Sequence, residues 1–256
     1  MIGDATPRQR ASRAEGLISD ALREKYSNSP ELLDTLTTHG PLSRWNVVDF
    51  LDAYVSGGVY PADRLHRLAD MLLDIKLQLY FILEVDLGCY NLLVHDRGYD
   101  KSEPLAHPHV YLTRLSLDQT LIGKSRVLWE RLMNLIYFLE TGEELESKRS
   151  RKRSKQTAFF EFVSKDPKLR FLEPYRQIIE QYDQSYRTPE YHKSSVLRSE
   201  LLGGRTVDAN DLLKLINAAI NNIWENLISI VGGGKPVSFS ELHLSESAEI
   251  DAKYLL

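Results

Sequence analysis

The sequence predicts an all-α fold, an antiparallel helical bundle with an N-terminal helical extension. Apolar residues recur at helical spacing almost throughout the chain, whereas the alternating patterns typical of strands are scarce. Proline and glycine fall between the periodic segments, where they begin or end helices. We therefore expect a helical extension at residues 1–60, a helical bundle at 61–231 and a Gly-linked, flexible tail at 232–256. Docking of this tail onto the bundle or a partner is the alternative.

Four helices are predicted in the first part of the chain. The prolines suit first helical turns, where a missing N–H costs nothing, and Gly57 suits a helix end. Ser43 is the predicted cap of the third helix. An apolar stripe from Leu65 to Val85 marks the fourth helix. The predicted helices cover residues 8–26, 30–38, 43–56 and 61–94, followed by a loop at 98–108.

Five further helices are predicted in the second part. The clearest carries leucines from Leu117 to Leu139 on one face and ends at Thr141-Gly142. Pro174 opens a later helix, and Asp208 is the predicted cap of the last one. The predicted helices cover residues 117–140, 156–164, 174–186, 189–202 and 209–231.

Composition indicates a soluble, cytoplasmic protein. The chain is 43% hydrophobic and 27% charged, as is typical of globular domains. A net charge of −4 argues against a protein that coats nucleic acid by bulk charge, so an RNA contact requires a local basic region. The single cysteine, Cys89, excludes an intramolecular disulfide and favours a reducing cytosol. No signal peptide and no apolar run of bilayer length is visible, so no membrane partner is expected.

The six residues from Arg187 to His192 are the most informative for function. Thr188 suits an N-cap and Pro189 the first helical position, so a helix is predicted to begin here. Arg187 and His192 then occupy the two positions that meet across a helix start. A guanidinium, an imidazole and the unpaired N–H groups of a helix N-terminus together favour phosphodiester chemistry.

This arginine and histidine, separated by four residues at the head of a late helix, resemble the signature of the HEPN (higher eukaryotes and prokaryotes nucleotide-binding) superfamily. The resemblance implies a small helical bundle that acts as a metal-independent endoribonuclease, without a cofactor, in a toxin–antitoxin or antiphage system. It implies that Arg187 stabilises the phosphate, that His192 is the general acid or base, and that two copies form a homodimer. An antitoxin or another defence protein is then an expected partner. Thr188 departs from the Asn, Asp or His often found after the arginine.

Two groups of residues are predicted to contact RNA. Thr188 and Tyr191 lie between the two predicted catalytic residues, and the only dense basic run of the chain lies at residues 148–155. Basic side chains attract the phosphate backbone, and tyrosine can stack on bases. A solvated linker is the alternative for the basic run, and simple packing is the alternative for the tyrosine. The predicted substrate contacts are Thr188, Tyr191, Arg149, Arg151, Lys152 and Arg153.

A polar line on the helix at 117–140 is open to two interpretations. Arg126, Glu130 and Asn134 recur every four residues, as on an ordinary exposed helix face or on a face that lines an active cleft. Two further functions also stay open for the whole chain. One is a catalytically silent HEPN-like module that binds nucleotide, RNA or a protein; the other is a helical scaffold. No metal-binding pattern is present.

Overall fold

The protein is an all-α helical bundle. The structure is a computed structural model that describes residues 5–38, 41–95, 108–145, 154–188, 190 and 209–236. Every regular element within these residues is helical, which confirms the predicted fold class. The α-helices are α1 Pro7–Lys25, α2 Pro30–Thr38, α3 Pro41–Arg44, α4 Val47–Gly57, α5 Leu65–His95, α6 Pro108–Thr141, α7 Lys155–Val163, α8 Glu173–Tyr182 and α9 Ala209–Val231. Two 3₁₀ turns, Ala62–Arg64 and Pro167–Leu172, and a π-helical turn, Asp183–Arg187, complete the described elements.

The first helix begins at a reciprocal cap. The Thr6 hydroxyl accepts a hydrogen bond from the Gln9 N–H at 3.2 Å, and the Gln9 side chain accepts one from the Thr6 N–H at 2.9 Å. Such a capping box satisfies two of the backbone donors that a helix start leaves unpaired. The helix predicted over residues 8–26 is thereby confirmed, within one residue at each end.

The helix predicted to begin at Ser43 is broken in two. Ser43 lies inside α3, and Asn46 caps α4 by accepting the Asp49 N–H at 3.2 Å. Between the two helices, the carbonyl of the fully buried Trp45 accepts a hydrogen bond from Lys76 of α5 at 2.7 Å. The prediction of Ser43 as the cap is therefore wrong, because a tertiary contact with a buried lysine sets the break.

The two longest described helices, α5 and α6, form the centre of the bundle. They run antiparallel, and the Gln78 side chain of α5 donates to the Lys124 carbonyl of α6 at 2.8 Å. Each fully buried leucine or isoleucine contributes about 1.5–3 kcal/mol relative to an exposed one. Gly142, at φ 78°, ends α6 where the sequence predicts. The buried face of α5 includes Leu68, Leu72, Ile75, Leu79, Ile82 and Val85, and that of α6 includes Leu121, Leu128, Leu132, Leu135 and Leu139.

The last helix, α9, closes the bundle against α3, α4 and α6. Trp224 of α9 packs on Trp45 with ring centroids 4.3 Å apart and on Phe50 at 5.4 Å. One continuous apolar core extends from Ala11 in α1 to Val231 at the end of α9. Residues 98–107 of the predicted loop at 98–108, the predicted cap Asp208 and the tail from residue 237 lie outside the described residues, and Pro108, the last residue of that predicted loop, begins α6.

Candidate functional site

Helix α8 does not stop before the Arg187–His192 motif but widens into the π-helical turn Asp183–Arg187. The Thr188 N–H donates to the Asp183 carbonyl five residues earlier, which is the π-helical pattern. The backbone of Thr188 is itself helical, at φ −65° and ψ −45°, and residue 190 is helical too. Short π-helical turns occur frequently at functional sites.

The predicted helix start at Thr188 is therefore wrong. An N-cap residue needs an extended backbone, which Thr188 does not have. Thr-Pro is only a local signal for a helix start. Here the packing of Tyr175, Ile179 and Tyr182 against the core keeps the backbone helical up to Thr188. The unpaired N–H groups and positive dipole end of a helix N-terminus consequently contribute nothing at Arg187. Thr188 as a substrate contact stays a prediction.

Arg187 is half-buried at the end of the π-helical turn. Among the described residues, it has no hydrogen-bond acceptor and no carboxylate within 4.0 Å of its guanidinium. The two carboxylates nearest to it in the sequence, Asp183 and Glu190, both have other partners: Asp183 contacts Arg126 of α6, and Glu190 accepts from the Gln119 amide at 2.9 Å. The Arg187 guanidinium is thus not neutralised by a contact with a described residue.

Asp183 and Arg126 form a buried charge cluster beside Arg187. The Arg126 Nε lies 3.4 Å from Asp183 Oδ1, with side-chain exposures of 12% and 19%. Burial raises the pKa of Asp183, while the charges of Arg126 and Arg187 act to lower it and Glu130 acts to raise it. Arg187 is therefore close enough for its charge to act on Asp183, although the two groups are not in contact.

Arg126 is less well satisfied than an ordinary arginine. Its Nη2 lies 3.5 Å from the exposed Glu130, and its Nε and Nη1 are buried without a hydrogen-bond partner. A buried donor left unpaired costs about 1–3 kcal/mol. Of the polar line on α6, only Glu130 is exposed, and Asn134 accepts the Leu145 N–H at 2.7 Å. The interpretation as an ordinary exposed face is therefore wrong for Arg126.

A small apolar cavity of about 50 Å³ separates α6, α8 and α9 next to this cluster. Its walls carry aromatic and aliphatic side chains, with Arg126 and Ser125 as the polar members, and the Ser125 hydroxyl donates to the Leu121 carbonyl at 2.7 Å. The low polarity around Arg126 strengthens its attraction to Asp183. The aromatic walls are Trp129, Tyr175 and Tyr182.

The other predicted site residues lie outside the described part of the chain. These are His192, Tyr191, Arg149, Arg151, Lys152 and Arg153. The basic run lies between α6 and α7, and Ser154 directly after it caps α7 by accepting the Thr157 N–H at 3.1 Å. Of the two predicted catalytic residues, the structure thus describes only Arg187. Asp183 was not predicted as functional, although it stands four residues before Arg187, a helical pairing distance. Arg126 was considered only as part of the polar line on α6, with a cleft-lining face as one of two interpretations.

Two kinds of feature are absent from the described residues. No group of three or more His, Cys, Asp and Glu side chains there is arranged to hold a metal ion. No described helix is both long enough and apolar enough to cross a bilayer.

Known proteins give no guide to the function of this chain. No protein-family model matches the chain, and no curated protein or solved structure is significantly similar to it.

Proposed function

We propose that the protein is a metal-independent endoribonuclease of HEPN type, in which Arg187 stabilises the phosphate and His192 transfers protons. The observation that carries this proposal is the state of Arg187. Its guanidinium is half-buried, lies at the end of a π-helical turn and has no counter-ion in contact among the described residues. A half-buried arginine that no contact neutralises is suited to an incoming phosphate. The all-α architecture and the Arg-x4-His spacing support the same function.

The chemistry needs both side chains. For cleavage, the 2′-hydroxyl of RNA loses a proton as it attacks phosphorus, and the 5′-oxygen is protonated as it leaves. A histidine that titrates near neutral pH serves either proton transfer. The guanidinium of Arg187 offers two parallel N–H donors to the phosphate oxygens as negative charge builds on them. The products are a 2′,3′-cyclic phosphate and a free 5′-hydroxyl, and no metal takes part.

A homodimer is part of the proposal. One Arg–His pair lacks a separate acid, so a second copy of the motif is needed to supply it. In addition, positions five residues apart on a regular α-helix differ by about 140° around the helix axis, which does not bring Arg187 and His192 onto one face. Two motifs that meet across an interface overcome both problems. The proposed biological setting is a toxin–antitoxin or antiphage system.

The basic run is the proposed entry path for RNA. Residues 148–155 contain six lysines and arginines in a chain whose net charge is −4. Such a segment draws the phosphate backbone by counterion release, with an affinity that falls steeply as salt rises. Neutralising Arg149, Arg151, Lys152 and Arg153 together should weaken RNA binding and flatten its salt dependence. Unchanged binding would identify the run as a linker.

Cleavage of RNA in the presence of EDTA tests the central proposal. The wild-type protein should generate 2′,3′-cyclic phosphate ends, and Arg187→Ala and His192→Ala should each lower the rate by about 10²–10⁴-fold, the usual size of such contributions. Arg176→Ala is the matched control, because Arg176 is an exposed arginine of α8 that pairs with Glu180 at 3.0 Å. It should cleave at the wild-type rate.

Three results would contradict the proposal: cleavage that needs a divalent metal, full activity of His192→Ala, or RNA binding without any cleavage. The last result would favour the catalytically silent module instead, an alternative that Thr188 after the arginine keeps open. Sedimentation velocity, combined with specific activity across a dilution series, tests the dimer. Activity should fall as the dimer dissociates, and a fully active monomer would refute the composite site.

A further inference from the structure

The spacing of Asp183 and Arg187 raises the question of why they do not pair. On a regular α-helix, an aspartate and an arginine four residues apart are neighbours that commonly form an ion pair. Here Asp183 is the first residue of the π-helical turn and Arg187 is the last. Because a π-helix closes its hydrogen bonds over five residues, it offsets side chains that an α-helix would stack. The guanidinium of Arg187 lies beyond 4.0 Å of the Asp183 carboxylate, although its charge still acts on it.

The carboxylate of Asp183 lies beside a second cation instead. Arg126 of α6 places its Nε 3.4 Å from Asp183 Oδ1, and both side chains are more than four-fifths buried. Arg126 has few other partners, since its Nε and Nη1 donate to no hydrogen-bond acceptor and the exposed Glu130 lies 3.5 Å from its Nη2. A buried guanidinium in such surroundings needs a carboxylate more than the half-exposed Arg187 does.

From these contacts we infer that Arg126 is a positioning residue that holds Asp183 away from Arg187 and so keeps the Arg187 guanidinium free for phosphate. This inference rests on the proposed ribonuclease function for its effect on activity, but the pairing itself is a property of the fold. Arg126 does not touch the substrate in this scheme. Its removal should let Asp183 and Arg187 form the pair that the π-helical turn and Arg126 together prevent.

A rescue experiment separates this role from a merely structural one. Arg126→Gln should lower kcat/KM for RNA cleavage at least tenfold, because Asp183 then competes with phosphate for Arg187. Adding Asp183→Asn removes the competitor, so the double variant should return to within about threefold of Asp183→Asn alone. Arg126→Lys keeps the charge and should retain most of the activity. Arg131→Gln is the matched control: Arg131 is the next arginine of α6, but its guanidinium donates to the Asp74 carbonyl of α5.

A measurement without RNA tests the pairing directly. Urea denaturation of Asp183→Asn, Arg187→Gln and the double variant gives the coupling between the two residues. In the wild-type background their effects on the unfolding equilibrium constant should multiply to within about twofold. In the Arg126→Gln background, the effect of the double substitution on the unfolding equilibrium constant should differ from the product of the two single effects by at least fivefold. The sign of the difference should be that of a stabilising ion pair.

The outcomes are distinguishable. Equal coupling in both backgrounds overturns the inference, and so does a folded Arg126→Gln/Asp183→Asn protein that stays as impaired as Arg126→Gln. Should Arg126→Gln not fold, Arg126→Lys still decides: a loss of activity that Asp183→Asn does not restore would overturn the inference. If the wild-type protein does not cleave RNA, the ribonuclease proposal fails, whereas the coupling measurement still tests the role of Arg126.

Discussion

The close approach between the ends of α4 and α9 allows a prediction whose size follows from the structure. Gly57 is the last residue of α4, and a Cβ added there would lie 2.1 Å from the Val231 carbonyl oxygen and 2.9 Å from the Gly232 Cα. Since a close C···O contact is about 3.3 Å, Gly57→Ala must move the two helix ends apart by roughly 1.2 Å. Both obstructing atoms belong to the backbone, so no side-chain rotation relieves the clash.

The expected cost is a net loss of about 2 kcal/mol in the free energy of unfolding. Overpacking costs about 1–3 kcal/mol, and a rigid backbone on both sides places Gly57→Ala at the upper end of that range. Alanine regains up to about 1 kcal/mol through its higher helix propensity. For a chain of this size, the melting temperature should fall by roughly 4–8 °C.

Urea denaturation followed by far-UV circular dichroism measures this loss, and Gly16→Ala is the matched control. Gly16 lies within α1, and a Cβ added there meets nothing within 4 Å, so the same substitution should stabilise the protein by about 0.5–1 kcal/mol. The denaturant slope should not change in either variant. If Gly57→Ala unfolds within about 0.5 kcal/mol of wild type, the α4 and α9 ends do not approach as described, and the reasoning is refuted.

Three further predictions concern buried polar groups. Lys76→Met should destabilise the protein by about 3–5 kcal/mol in urea denaturation, because it leaves the Glu15 carboxylate, 3.4 Å from the ammonium group, without its cation. Adding Glu15→Gln should recover part of this loss. Full stability of Lys76→Met would contradict the buried ion pair. Tyr60→Phe should cost about 1.5–3 kcal/mol in the same assay, since the Tyr60 hydroxyl donates to the largely buried Glu140, and an unchanged midpoint would contradict that bond. Because burial raises the pKa of Asp183 in the folded state, its contribution to stability is present at low pH and is lost as pH rises through the folded-state pKa. Wild type should therefore gain stability relative to Asp183→Asn as pH falls from neutral towards the ordinary aspartate range, and a gap that moves the other way in thermal melts across pH would contradict the raised pKa.

Much of the fold could be predicted because its signals are local. The apolar stripe from Leu65 to Val85 and the leucine face from Leu117 to Leu139 repeat with the helical period, and both faces are buried or partly buried in the structure. The prolines and glycines that punctuate them set most helix ends to within a few residues, whereas α6 begins at Pro108, well before the predicted 117. These features need no knowledge of the rest of the chain, which is why periodicity alone was sufficient.

The errors arose where a distant part of the chain decides a local conformation. The break before α4 depends on Lys76 of α5, whose ammonium group donates to the Trp45 carbonyl. At Thr188, the local Thr-Pro signal for a helix start gave way to the continued packing of α8. For Arg126 the sequence left an exposed face and a cleft-lining face open, and the approach of the π-helical turn buries it beside Asp183. No pattern on α6 alone indicates that a carboxylate from another helix lies there.

The helical backbone at Thr188 changes which positive charge can favour a bound phosphate at the motif. With a helix start at Thr188, the positive end of the dipole would have favoured a bound phosphate. Since the backbone is helical through Thr188, that influence is absent there, and the charge of Arg187 must supply it. An Arg187 neutralised by Asp183 would supply little. The contact between Arg126 and Asp183 therefore bears on the proposed phosphate binding, because Arg187 is the cation assigned to the phosphate.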